Sequence, residues 1–517
     1  FDEKVLAHIE DGVDLYVEYR KSGVAQKINL DLIKEIKNKI VIESVGGSAY
    51  RTLSRVLKKL DISDKFTWFD TEEDCFYHSN GKYDHTPKGE KAFYDYSVDA
   101  TVVAKKRSGE KFFPVIETMH YDERLTKLPV GTAVLITDPD HDRLTVTQTE
   151  KADKISKLEK AGIDYVRLNN DLILTVFTAN QAFLMLMDFW SKQLKSQNLW
   201  NNHPRFMIKT TASPISWDEW AKKQEIKVVN VPVGFKEIAN IMKKVELKLK
   251  NNPEKEVIID DVLGNSINLG VNPRLVFAGE ESGGMIMGTE ELIKSQNGRF
   301  AIAMREKSAT EAIIVASALL AKLQKEQTPL SKYLVQIFEE NNIIGRFDTR
   351  VDIAYYNESE PDINKLKKEK VLGEAKRTKN DLFYLSMAMG VKKGIMTLGD
   401  VKEVLNDSFK SLIFDNLVSI KFVGDGTYLE FTDKYIEIRP SGTDAKTKAY
   451  GGGSDKAILE TYANIMGNYS GDRTELHKKF ISDKFYNSTK DEAMKYYLEF
   501  VDKDANNEPF EIPEYKF

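Results

Sequence analysis

The sequence predicts an α/β protein: successive mixed α/β domains, followed by a C-terminal α+β domain. Three observations predict it. Short apolar runs are followed by a small-residue or polar loop and then an amphipathic segment, the pattern of a parallel α/β layer. That pattern occurs before Leu168 and again after the long apolar stretch at residues 172–190. From about Asp348 the style changes to helices and an antiparallel hairpin, with Gly-Asp-Gly at 424–426 between alternating segments.

In chain order, NKIVIESVGGSAYRTLSRVLKKL reads as a strand at Ile40–Glu43, a turn at Gly46-Gly47-Ser48 and a helix to Leu60. VGTAVLITDPDHDRLTVTQ gives a strand at Ala133–Thr137, an acidic loop, and a strand from Leu144 to Thr147. The acidic loop thus falls at a strand's carboxyl end, where open α/β sheets place their sites. Leu172–Trp190 is read as a buried helix rather than a membrane span, because Asn180, Gln181 and Asp188 interrupt it. RFMIKTTASPISWDEWAKK and IKVVNVPVGFKEIANIMKKVE repeat strand, loop and helix, and PRLVFAGEESGGMIMG is a strand ending in a glycine-rich loop. KYIEI (Lys434–Ile438) is a half-buried strand that stops at Pro440. The expected division is a remnant of a preceding segment at 1–10, α/β domains at 11–165 and 166–335, an α+β domain at 336–453, and a helical extension at 454–517.

At 517 residues the chain is too long for one core. Its 75 basic and 80 acidic residues leave a net charge of −5, so no global basic field draws it to nucleic acid or an anionic membrane. One cysteine, Cys75, precludes an internal disulfide framework and fits a reducing compartment, so a cytoplasmic location is expected. Oligomeric state is not written in these features.

Four loops carry chemistry. Asp138-Pro139-Asp140-His141-Asp142-Arg143 points three carboxylates into a small volume, where a hard cation relieves their repulsion; oxygen-only ligands favour Mg²⁺. A solvated acidic turn is the plainer reading of the same residues. His141, between the aspartates, is expected to point away. Glu280-Glu281-Ser282-Gly283-Gly284 can accept from and donate to vicinal sugar hydroxyls, or it can simply place acidic residues at a helix N-terminus. Lys236 follows a strand end in Gly234-Phe235-Lys236, where a lone lysine is more often a solvated surface charge. Arg439, Ser441, Gly442 and Thr443, with Lys446 and Lys448 beside them, offer compact donors and cations suited to a phosphate, or form a polar turn.

The order metal loop, Gly-Phe-Lys, Glu-Glu-Ser-Gly-Gly and Arg-Pro-Ser-Gly-Thr resembles the α-D-phosphohexomutase superfamily of phosphoglucomutases, phosphomannomutases and phosphopentomutases, over about Asp11 to Tyr450. The resemblance implies four domains around a central cleft and an intramolecular phosphotransfer. A phosphoserine gives its group to a sugar monophosphate and takes back the other phosphate of the bisphosphate intermediate. It implies that Asp138, Asp140 and Asp142 hold Mg²⁺, that Arg143 lies beside the transferring phosphate, and that Glu281, Ser282 and Gly283 bind the sugar. Lys236 would then read which end of the sugar is presented, and Arg439, Ser441, Gly442, Thr443 and Lys448 would grip the distal phosphate.

The chain departs from the pattern in three places. Asp444-Ala445 stands where the family commonly has Glu-Pro, and Lys448 where it has Arg, which removes a bidentate fork. No Thr-Ala-Ser-His-Asn-Pro-like serine loop occurs; Thr211-Ala212-Ser213-Pro214 and His78-Ser79-Asn80 are only echoes of it. The expectation is a mutase whose serine domain is missing from these residues. The alternative is a catalytically silent phosphosugar-binding or regulatory protein. A simple phosphatase using Asp138 and Asp140 would leave the other loops unexplained.

Overall fold

A computed structural model describes residues 12–22, 24–74, 82–84, 92–94, 104–105, 111–294, 300–305, 307–357, 360, 362–441 and 445–502. The chain separates into two compact units, Phe1–Pro204 with Arg274–Glu340, and Arg205–Pro273 with Asn341–Phe517. The class is mixed α/β, as the sequence predicts.

The first unit is built on a six-stranded sheet. Its order is Phe66–Phe69, Ile40–Glu43, Ala133–Thr137, Leu144–Lys151, Leu172–Phe177, Asp164–Arg167. The first three strands are parallel, and the turn at the acidic loop reverses the chain so that Leu144–Lys151 runs antiparallel to Ala133–Thr137. Continuous apolar strands suit a sheet covered on both faces; every residue of Ile40–Glu43 and of Ala133–Thr137 is buried. Val41, Val134, Ile136, Leu174 and Val176 form one core with Phe113, Ile116 and Tyr121.

The apolar stretch at 172–190 corrects the single-helix reading. Leu172–Phe177 is a buried strand and Ala179–Ser196 a helix. The break lies at Thr178, whose side chain accepts from Gln181 N while Gln181 reaches back to Thr178 N, a capping box that starts the helix there. β-Branched and aromatic residues before the cap favour the strand. Asp188 is buried on that helix, paired with Lys192 at 2.9 Å and accepting from the Tyr333 hydroxyl at 2.7 Å. No helix among the described residues is long and apolar enough to cross a membrane.

In the second unit Arg205–Thr210 and Lys227–Val231 are parallel neighbours, followed by the helices Ile215–Lys223 and Phe235–Asn251 respectively. Its larger sheet is wholly antiparallel, in the order Phe347–Ala354, Lys446–Gly453, Lys434–Pro440, Thr427–Phe431, Leu417–Phe422. Helices Ile363–Lys392 and Lys456–Gly467 bury Phe383, Tyr384, Tyr462 and Met466 against Ile436, Ile438 and Leu429. The C-terminal helix Asp483–Asp502 packs on Ile363–Lys392 through Ala493, Leu385 and Met389.

Candidate functional site

The acidic loop leaves the sheet directly after Thr137, and its own backbone closes it. One Asp138 carboxylate oxygen accepts from Asp142 N and Arg143 N, both at 3.0 Å. His141 adopts a left-handed conformation (φ 61°), and its ring is not among the ligand atoms that cluster, in keeping with the expectation that it points away. The ring Nε2 lies 2.8 Å from the Thr310 hydroxyl, and Ala309 N donates to the His141 carbonyl. Burial lowers the His141 pKa to about 4, so the ring is neutral. It serves as an anchor for the loop and not as one of its charges.

What this leaves facing one point is the three aspartates. Ligand atoms of Asp138, Asp140 and Asp142 all lie within 4.8 Å of one another. Burial pushes the Asp138 carboxyl up to about 7; the Arg143 backbone donor opposes the shift, and Asp142 and Asp140 add to it. The buried Oδ1 of Asp142 has no hydrogen-bond partner. An oxygen-only cluster with surplus negative charge and a spare buried acceptor fits a hard divalent cation.

A second loop closes on the first. Arg274–Gly279 runs into Glu280, and Gly283 takes a φ of 102° that only glycine adopts readily. A Cβ on Gly283 would meet the Arg143 side chain at 3.3 Å, so the bare backbone lets the loops pack. Leu144 N donates to Gly283 O at 3.4 Å across the seam. Arg143 Nε lies 3.6 Å from both Asp138 Oδ2 and Asp142 Oδ1. Glu280 is buried, and Glu281 and Ser282 are half-buried. Burial, reinforced by Glu281, raises the Glu280 pKa, while the Ser282 side-chain hydrogen bond and Lys307 oppose the shift.

Lys307 was not foreseen. Its Nζ bridges the two loops, 3.0 Å from Asp142 Oδ2 and 3.6 Å from Glu280 Oε1, with its side chain only 14% exposed. In sequence it sits in the charged run Arg305-Glu306-Lys307, which reads as surface. Burial alone distinguishes it, and burial is not written locally.

A third loop supports the metal loop from behind. Ser48 N donates to Pro139 O at 2.9 Å and its hydroxyl lies 3.2 Å from the same oxygen. A Cβ on Gly47 would fall 2.5 Å from the Pro139 backbone, so glycine is required for this approach. Val45 holds a φ of 52°, an outlier for a β-branched residue. Full burial and a 2.8 Å bond from its N–H to the Glu43 carboxylate hold it there.

The remaining candidates belong to the second unit. Lys236 lies in the first turn of the helix Phe235–Asn251, its side chain 76% exposed and its Nζ 3.6 Å from Glu237 Oε1. Arg439, near the end of Lys434–Pro440, is paired with Asp425 of the Gly-Asp-Gly turn. Burial works against the guanidinium charge, but Asp425 more than offsets it and the Arg439 pKa rises. Ser441 is buried, its N–H donating to Lys446 O at 2.8 Å and its carbonyl accepting from Arg377 at 2.7 Å. Lys448 stands opposite Asp352 in the sheet and helps lower the pKa of that carboxyl. Gly442 and Thr443 lie outside the described residues.

Residues 180–340 match the family profile described as phosphoglucomutase/phosphomannomutase, alpha/beta/alpha domain III. No curated protein matches the chain in sequence. Similar solved structures include parafusin, a phosphoglucomutase from Paramecium in an open form (14% identity, TM-score 0.47, 97% of this chain and 64% of that one). Another is a phosphoglucomutase/phosphomannomutase family protein from Burkholderia thailandensis (13%, 0.43, 88% and 63%). A third is Aspergillus fumigatus N-acetylphosphoglucosamine mutase in complex with GlcNAc-6P and magnesium (10%, 0.42, 86% and 65%). The chain therefore spans a little under two thirds of the length of each, 63–65%. The domain III match takes in the Glu-Glu-Ser-Gly-Gly loop, so residues 180–340 are similar to the third domain of phosphoglucomutases and phosphomannomutases.

Proposed function

We propose that this chain is the metal-, sugar- and phosphate-binding part of a Mg²⁺-dependent phosphosugar mutase, interconverting sugar 1-phosphates and 6-phosphates of the glucose or mannose type, or pentose phosphates. The observation that carries the reading is the juxtaposition of the aspartate cluster, Arg143, Lys307 and Glu280 in one unit, built from segments up to 169 residues apart in number. In this reading the division of labour follows the sequence segments 11–165, 166–335 and 336–453, with the phosphoserine supplied from outside these 517 residues.

Asp138, Asp140 and Asp142 would hold the ion, which neutralises developing charge on a transferring phosphoryl group. Arg143 presents its guanidinium at the rim of the cluster, where it can accompany a phosphate. Lys307 keeps Asp142 and Glu280 from repelling each other and, as an ammonium, can donate a hydrogen bond to a sugar or phosphate oxygen. Glu281 and Ser282 offer an acceptor and a donor to neighbouring hydroxyls. Arg439, Ser441, Gly442, Thr443 and Lys448 are the proposed recognition groups for the phosphate that does not react, and Lys236 is the proposed reader of which end of the sugar is presented. A half-buried ion cluster suits such chemistry because charges act more strongly where water is partly excluded.

The test is a coupled assay on the full-length protein with glucose, mannose and pentose phosphates, each supplied with its bisphosphate activator. Turnover of at least one, abolished by chelation and by Asp140→Asn, is expected. No turnover with any of them overturns the reading. One observation favours a silent phosphosugar-binding protein instead: the absence of a Ser-His-Asn loop from these residues. Such a loop encoded upstream rules that alternative out.

A further inference from the structure

The C-terminal helix Asp483–Asp502 lies beyond the family resemblance, yet it is firmly seated in the second unit. Lys393 pairs with Glu492 at 2.5 Å, Lys392 lies 4.4 Å from the Tyr496 ring centre, and Lys244 donates to the Phe500 carbonyl at 2.7 Å. These contacts grip the helix along its length and fix where Tyr497 falls.

Tyr497 touches the supports of two cations. Its hydroxyl donates to Glu237 Oε1, the same oxygen that lies 3.6 Å from Lys236 Nζ. Lys236 Nζ is 5.9 Å from the Tyr497 ring centre. On its other side the ring abuts the hairpin turn that pairs with Arg439. A Cβ on Gly424 would lie 2.7 Å from Pro232 and 3.3 Å from the Tyr497 ring, and one on Gly426 would lie 2.7 Å from Arg439 Cβ. Between those glycines sits Asp425, the Arg439 partner. The two supports also sense each other: burial raises the Asp425 pKa, Arg439 opposes the rise, and Glu237 adds to it.

We propose that Tyr497 is a positioning residue for phosphosugar binding, acting through Glu237 to keep Lys236 extended into solvent and through the Gly-Asp-Gly turn to hold Arg439. The proposal rests on the phosphosugar reading above. Its physical basis is the sharing of one buried oxygen. Glu237 is 2% exposed, so its carboxylate must find donors within the protein. Asn240 serves one oxygen at 3.3 Å and Tyr497 serves the other. Remove the hydroxyl, and the freed oxygen draws the Lys236 ammonium inward, away from any incoming phosphate.

The experiment is calorimetric titration of glucose 1-phosphate into the Mg²⁺-loaded 517-residue chain, for wild type, Tyr497→Phe, Lys236→Met and the double variant, with Tyr496→Phe as the neighbouring-ring control. Tyr497→Phe should raise Kd about tenfold, and the double variant should bind no more weakly than Lys236→Met alone. Tyr496→Phe should match wild type. Wild-type affinity in Tyr497→Phe, or effects that multiply in the double variant, overturns the proposal while leaving the phosphosugar reading intact. A wild-type chain that binds no glucose 1-phosphate overturns both. Should Tyr497→Phe fail to fold, Tyr497→Leu, which also lacks the hydroxyl and leaves the Glu237 carboxylate in place, takes its place in the same cycle, with the same outcomes deciding.

Discussion

Gly47→Ala adds one methyl group where the structure leaves no room, at a residue that is itself no part of the candidate site. Its Cβ would sit 2.5 Å from Pro139 Cα and O and 2.8 Å from Pro139 C. Ordinary carbon contacts begin at about 3.5 Å, so the Pro139 backbone must retreat by roughly 1 Å. That retreat breaks the 2.9 Å bond from Ser48 N to Pro139 O. Overpacking costs about 1–3 kcal/mol and the lost hydrogen bond about 1 kcal/mol, so the first unit should lose about 2–4 kcal/mol. Pro139 lies between Asp138 and Asp140, so both carboxylates shift with it. Mg²⁺ tolerates deviations of only a few tenths of an ångström from its octahedral geometry. Calorimetric Mg²⁺ titration should show at least a tenfold loss of affinity, with urea denaturation reporting the stability change. Gly12→Ala, whose Cβ meets nothing within 4 Å, should leave both unchanged. A folded Gly47→Ala protein with Mg²⁺ affinity within twofold of wild type would refute the reasoning.

Further predictions concern buried charge. Lys307→Met leaves Asp142 and Glu280 without their shared cation. It should destabilise the first unit by about 1–3 kcal/mol at pH 8 and by less at acidic pH, because burial raises the Glu280 pKa and a protonated Glu280 no longer needs the cation. Urea curves under the two conditions check this. Burial pushes the Asp381 pKa to about 7, with Lys490 and Arg377 opposing and Asp425 adding. Its contribution is therefore fully present below about pH 4 and is lost as pH rises through 7; three units at ~1.36 kcal/mol each set a ceiling of about 4 kcal/mol. Asp381→Asn should remove this downward slope, equalling wild type near pH 4 and exceeding it near pH 8 in chemical denaturation.

Much of the fold was legible because its signals are local. The strands Ile40–Glu43 and Ala133–Thr137 are continuous apolar runs, and both were read to the residue. Leu172–Trp190 was misread because hydrophobicity alone cannot separate a buried strand from a buried helix. The decisive signal was Thr178 with Gln181, a capping box hidden inside an apolar run. In the site, the aspartates and the glutamate-serine-glycine loop were readable because their chemistry is packed into a few consecutive residues. Lys307 and Asp425 were not, since each has a plain role in sequence, a surface charge and a turn residue. Their partners are separated from them by 165 residues in one case (Asp142 to Lys307) and 14 in the other (Asp425 to Arg439). Tyr497 lies in a segment that no motif reaches, and its meaning comes from Glu237, 260 residues away.

The most direct test is calorimetric titration of glucose 1,6-bisphosphate into the wild-type chain and into Asp140→Asn, with and without Mg²⁺. Wild type should bind one equivalent, at least tenfold more tightly with Mg²⁺ than without it, and Asp140→Asn should lose that metal-dependent gain. Binding that ignores both the metal and Asp140, or no binding at all, would contradict the account.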